Sequence, residues 1–155
     1  MKRWSGAVLK RISIILALSA WSACLAATAY AQQCERSDFE AAVGTASATL
    51  REMTNRNTPD FQDRLRALRD KRGWSTEEFV KAAAPLVADE RITEFDLKSA
   101  EYLMKINNLG GEGASSAKPD CDLLATLRSN MSELVETQTQ KWAYMFGKLD
   151  AEIAK

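Results

Sequence analysis

The chain has no histidine and three cysteines, at positions 24, 34 and 121. That inventory limits the chemistry first. Without histidine there is no imidazole general base, no Ser-His-Asp relay and no imidazole ligand for zinc or haem. Three thiols are too few for an all-cysteine zinc knot or an iron–sulfur cluster. Carboxylates are plentiful, and close pairs occur at Glu77/Glu78, Asp89/Glu90 and Glu94/Asp96. Acid–base cleavage of a glycosidic bond needs two carboxylates about 5–10 Å apart across a cleft, one of them held protonated. These pairs stand where helices are expected to start, and there the helix dipole favours the ionised form. The sequence therefore assigns no catalytic residue, no metal ligands and no cofactor.

Three short motifs resemble known sites and fail on their own terms. Ser115-Ser-Ala-Lys118 has the S-x-x-K spacing of the penicillin-binding serine acyltransferases. That chemistry needs Ser and Lys one helical turn apart, so that the amine takes the hydroxyl proton. Pro119 disfavours helix at Lys118, and the companion motifs S-D-N and K-T-G are missing. Residues 89–96 resemble the second half of an EF-hand loop. Aligning Ile92 with its apolar position puts Pro85 and Val87 at ligand places and Glu90 where glycine is required. Asp89 or Thr93 reads better as a helix N-cap.

Residues 65–79 resemble the first half of a repressor-type helix-turn-helix, two helices joined through Gly73 with arginine-rich flanks. Ala82-Ala-Ala-Pro85 then stands where base-reading side chains belong. The expectation is a capped helical hairpin, with no nucleic-acid partner.

Charge separates the chain into two parts. Over 155 residues, 21 Lys+Arg balance 21 Asp+Glu. Residues 1–31 hold Lys2, Arg3, Lys10 and Arg11 and no acid. Without them, 17 bases face 21 acids, a net −4 over 124 residues. The basic start, the apolar run 12–20 and the Ala29-Tyr-Ala31 end read as a cleaved export signal over 1–31, with Gln32 as the new N-terminus. The alternatives are an uncleaved anchor over 12–31 and a lipoprotein carrying its lipid on Cys24, after Ser22-Ala23. Each puts residues 32–155 outside the cytoplasm, in a periplasm-like or secreted setting where disulfides persist. With Cys24 removed or lipidated, Cys34 and Cys121 pair as a structural bridge.

The elements that must position these residues all read as helical. No run alternates at period two, and apolar residues recur at steps of three and four. The spacing predicts a helix from Ser37, capped by Ser37 and Glu40 and striped by Phe39, Val43, Ala46, Leu50 and Met53. A polar break is expected at 54–57. Thr58-Pro59 then opens a second helix, lined by Phe61, Leu65 and Leu68 and ended at Gly73. Ser75 and Glu78 box the next helix, which Pro85 ends or kinks. Another carries Ile92, Phe95, Leu103, Ile106 and Leu109 and stops at Gly110-Gly111. Residues 110–120 form a flexible loop.

The last helix begins near Asp120 or Cys121. Its stripe runs Leu124, Leu127, Met131, Leu134, Gln138, Trp142, Met145, Leu149 and Ile153. Some 33 residues make a rod of roughly 50 Å, so it breaks near Gly147 or its tail projects.

The fold expected is all-α: one small helical bundle of four or five helices over 32–155, with a long C-terminal helix and one disulfide. The pairing makes the first and last helices start together and run parallel. The function expected is non-catalytic binding of another exported or envelope protein, as adaptor, inhibitor or chaperone-like accessory. Trp142, Tyr144, Met145 and Phe146 are the candidate anchors. The alternative is attachment to an anionic lipid or polymer surface through Arg64, Arg66, Arg69, Lys71 and Arg72 in the basic helix 64–72. A small hydrolase is the weakest reading. Oligomeric state is left open.

Overall fold

The computed structural model describes residues 34–118 and 120–155. The export signal expected over 1–31, with Cys24, lies outside them. Four helices follow one another: α1 Arg36–Arg72, α2 Thr76–Val87, α3 Glu90–Ser115 and α4 Cys121–Ala154. No strand occurs among the described residues.

Cys34 and Cys121 are bonded, with their Cα atoms 5.4 Å apart. The bridge joins the starts of α1 and α4. At the other end the Arg64 guanidinium donates to Asp150 Oδ2 at 2.6 Å, and Arg72 donates to the Glu152 carbonyl at 3.0 Å. The two long helices are therefore parallel. α3 returns antiparallel to both: its Gly113 meets Phe39 near the bridge, and Asp89, just before its start, meets Tyr144 far along α4. α4 packs against α1 and α3 along its length, while α1 and α3 touch sparingly.

Two helices outrun the sequence expectations. α1 is continuous through 54–59, where a polar break and a fresh start at Thr58 were expected. Pro59 removes one backbone bond, but it lies on the exposed face. On the inner face Phe39, Met53, Phe61 and Leu68 are all buried, and Leu50 and Leu65 partly so. One unbroken apolar stripe outweighs one lost bond. Ser37 and Glu40 do not form the starting box either. α1 begins one residue earlier, and Asp38 Oδ2 accepts from the Glu35 N–H at 2.9 Å.

α3 likewise runs through Gly110-Gly111 to Ser115, so the first six residues of the expected loop 110–120 are helical. Packing holds that end. Leu109 is half-buried, and Gly113 lies under the Phe39 ring. α4 neither breaks at Gly147 nor sheds its tail, because α1 is as long and covers it; Leu149 is fully buried. Two residues expected in the stripes, Val43 and Leu103, are exposed.

The other ends follow the sequence. Gly73 takes the left-handed conformation (φ 64°), and Trp74 folds back with its N–H on the Arg69 carbonyl at 3.2 Å. Ser75 and Glu78 cap α2 reciprocally, at 2.8 and 3.3 Å. α2 runs two residues past Pro85, to Val87.

The core is in two parts. Phe39, Ile106, Leu124, Leu127, Met131 and Leu134 fill the disulfide half. Phe61, Leu68, Leu86, Ile92, Met145 and Leu149 fill the other. Between them lie Ser99 and Thr137, the buried polar side chains among the described residues. The Gln138 amide donates to Ser99 Oγ at 2.7 Å, and Ser99 donates to the Phe95 carbonyl at 2.8 Å. A satisfied polar layer of this kind fixes register between helices at little net cost.

Two measurements of thermal unfolding test this packing. A Cβ on Gly113 would lie 2.3 Å from Phe39 ring atoms that are themselves buried. Gly113→Ala therefore destabilises by about 1–3 kcal/mol. Gly111, about one turn before the end of α3 and with nothing within 4 Å of an added Cβ, gains about 0.5–1 kcal/mol as Ala. Equal effects at the two sites would refute the continuous α3. The bridge closes a loop spanning 87 residues. Replacing Cys34 and Cys121 by Ser removes about 4 kcal/mol, a fall of about 10–20 °C in melting temperature; an unchanged melting temperature would deny the bridge a structural role.

Candidate functional site

The five cations expected to form an anionic-surface patch are brought to one end of α1, and each has a partner within the chain. Arg64 bonds Asp150 and lies 4.8 Å over the Phe146 ring. Arg66 pairs with Asp63. Arg69 pairs with Asp70 at 2.9 Å. Lys71 donates to the Ile153 carbonyl, and Arg72 to the Glu152 carbonyl. Lys71 and Arg72 thus satisfy last-turn carbonyls of α4, where the negative end of the helix dipole attracts cations. Their charge is directed at the protein's own C-terminal helix.

The four candidate anchors are likewise turned inward. Met145 is buried, while Trp142, Tyr144 and Phe146 are half-buried against the second core half. Phe61 stands edge-on to Phe146 at 5.5 Å and to Trp142 at 6.1 Å. Such pairs contribute about 0.5–1.5 kcal/mol beyond the area they bury. These aromatics build the core at this end.

Tyr144 belongs to a polar cluster at the start of α3. Asp89 Oδ1 accepts the Ile92 N–H at 2.8 Å, capping the helix. Its Oδ2 accepts the Tyr144 hydroxyl at 2.9 Å and the Lys148 ammonium. Lys148 also donates to the Pro85 carbonyl, so one ammonium ties the end of α2 to the start of α3. Arg91 lies over the Tyr144 and Phe95 rings, 5.3 and 5.7 Å from their centres. The Lys148 hydrogen bond, with the Ile92 N–H next, brings the Asp89 carboxyl down to about 2. Bonding to that carboxylate pushes the Tyr144 hydroxyl up. A carboxylate this acidic and a phenol this reluctant to ionise are poor proton shuttles at neutral pH. The cluster fastens three helices together.

Sequence reasoning missed the surface that stays open. On α3, Leu97 is 68 % exposed, Met104 60 % and Leu103 48 %. Leu97 and Met104 lie seven residues apart, on the side of α3 opposite the buried Ile92, Ser99 and Ile106. Their spacing is visible in the sequence, but the same periodicity puts Leu103 in the buried stripe. A groove of about 440 Å³ also runs between α1 and α4, lined by Ala41, Thr45, Thr49, Arg128, Met131 and Val135 among others. Among the described residues no cluster of His, Cys, Asp and Glu is fit to hold a metal, and no helix is long and apolar enough to cross a membrane.

The Asp89 cluster makes a prediction about acid. A carboxyl held below its usual value of 3.8 contributes stability that is complete above that value and is lost as pH falls through about 2. Glu78, Glu101 and Glu152, also held down by hydrogen bonds, act in the same direction. Melting temperature should therefore fall between about pH 4 and pH 2, and Asp89→Asn should be less stable at neutral pH with a shallower acid decline. An unaltered slope would deny Asp89 this role. Set against known proteins, the chain matches no family model, no curated protein and no solved structure.

Proposed function

We propose that this chain is an exported, non-catalytic protein that acts by binding another exported or envelope protein through the outer face of α3. The observation that carries this reading is the exposure of Leu97 and Met104 on the side of α3 opposite its buried Ile92, Ser99 and Ile106, with Leu103 exposed at the flank. Large apolar side chains grouped on a surface helix are the usual anchors of a partner, and methionine adapts to its shape. Export is supported by the basic and apolar pattern of residues 1–31 and by the Cys34–Cys121 bridge. The reading is favoured over attachment to an anionic surface because Arg64, Arg66, Arg69, Lys71 and Arg72 already have partners within the chain.

A photo-crosslinking residue in place of Met104, introduced in the producing cell, should yield a discrete adduct that the same probe at the exposed Glu136 does not. Adding Leu97→Asp should reduce that adduct about tenfold or more while shifting folding stability by no more than about 0.5 kcal/mol. Equal adducts at both probe sites, or an adduct indifferent to Leu97→Asp, would remove the α3 face from the proposal. The mass of the purified protein tests export directly: a chain beginning at Gln32 is expected, and one retaining residues 1–31 or a lipidated Cys24 would replace that part.

A further inference from the structure

We infer that the groove between α1 and α4 receives a second copy of this chain, with the first halves of the two α1 helices packed antiparallel about a two-fold axis. The first observation is the lack of charge along that stretch. From Ala41 to Leu50 α1 carries no charged residue, although Ala41, Val43, Gly44, Thr45, Ser47, Ala48 and Thr49 are exposed. The last 13 residues of the same helix carry eight charges. A helix face meant for water is normally charged. Small side chains instead let a second helix approach closely.

The groove is also ready to be covered. The Thr45 hydroxyl donates to the Ala41 carbonyl at 2.9 Å, and that of Thr49 to the Thr45 carbonyl at 3.0 Å. Neither donor is stranded when water is excluded. Met131 and Val135 of α4 supply apolar lining.

Charge selects the occupant. Along the groove side of α1 the seam runs Asp38, Ala42, Thr45, Thr49, Glu52 and Arg56, alternating steps of four and three. Reversed on itself about a point between Thr45 and Thr49, this seam sets 45 against 49, 42 against 52, and 38 against 56. Asp38 then faces the second copy's Arg56, twice by symmetry. Glu52 of one copy faces Ala42 of the other, in the groove that Ala42 shares with Arg128. So Glu52 meets Arg128, again twice. Among the described residues none of these four charged side chains has an ion-pair partner within the chain. A foreign helix would need to bring this pattern; the chain's own α1 already has it.

Sedimentation velocity of the purified, oxidised protein, from about 1 µM to about 1 mM, tests the pairing. A dimer is expected to form within this range. Glu52→Arg and Arg128→Glu should each weaken it about tenfold or more, since each places like charges together twice. The double variant should return to within about threefold of the original, because it restores both pairs in reverse. Both side chains are exposed, so unchanged circular dichroism and melting temperature verify the fold of each variant. Leu97→Asp, on the outer face of α3, should leave association unaltered, which keeps this result separate from the proposed binding face. A monomer throughout the range, single reversals without effect, or a double variant that stays weak would each overturn the inference.

Discussion

The covalent link at one end of the bundle fixes how everything else is arranged. Cys34 stands two residues before α1 and Cys121 opens α4, so the bridge sets both the direction and the register of the two longest helices. Parallel neighbours cannot be joined by a tight turn. The intervening chain must travel to the far end and come back, which α2 and α3 do. α4 becomes the shared wall, and its stripe from Leu124 to Leu149 is covered from both sides. α1 and α3 then meet each other little, and this leaves the outer faces of both helices available.

The two halves of the bundle solve the problem of stability differently. The disulfide half has a thin, small-residue α1 and glycines in α3, with Phe39 lying on Gly113. It relies on the bridge. The far half has no covalent link among the described residues. It relies on Phe61, Trp142 and Phe146 packed edge to face, on Lys71 and Arg72 closing the end of α4, and on the Asp89–Lys148–Tyr144 junction. Ser99, Thr137 and Gln138 divide the two. That polar layer penalises any slip of α3 along α4, because a slip would strand both Ser99 and Gln138.

Much of this was legible in the residues. The Cys34–Cys121 pairing followed from the cysteine count, and the all-helical pattern and the caps at Ser75 and Asp89 were written in local chemistry that acts within a few positions. The stripes of α4 were too, since buried residues there keep to steps of three and four. What failed was the weight given to breakers. Pro59 and Gly110-Gly111 are strong signals in isolation, but each disturbs one turn, whereas burial of Met53 and Phe61, or of Gly113 against Phe39, acts through contacts distant in sequence. The surroundings of the α1 cations were hidden for a related reason. A run of cations looks the same whether it faces water or the end of another helix, and only tertiary structure places Lys71 and Arg72 on the carbonyls of α4. The open faces were harder to see, because an exposed Leu97 or an uncharged Ala-Thr stretch differs from core only by what packs against it.

Uncharged surface and exposed apolar surface are separate features here, and they point to different neighbours. The α1 face offers small side chains, satisfied hydroxyls and charges that complement themselves on reversal, properties suited to a copy of the same helix. The α3 face offers large flexible apolar groups, which suit the anchoring of a partner. The same bridge underlies both. By holding α1 and α4 parallel it forms the groove, and by sending α3 back along α4's other side it leaves Leu97 and Met104 facing away from that groove's walls.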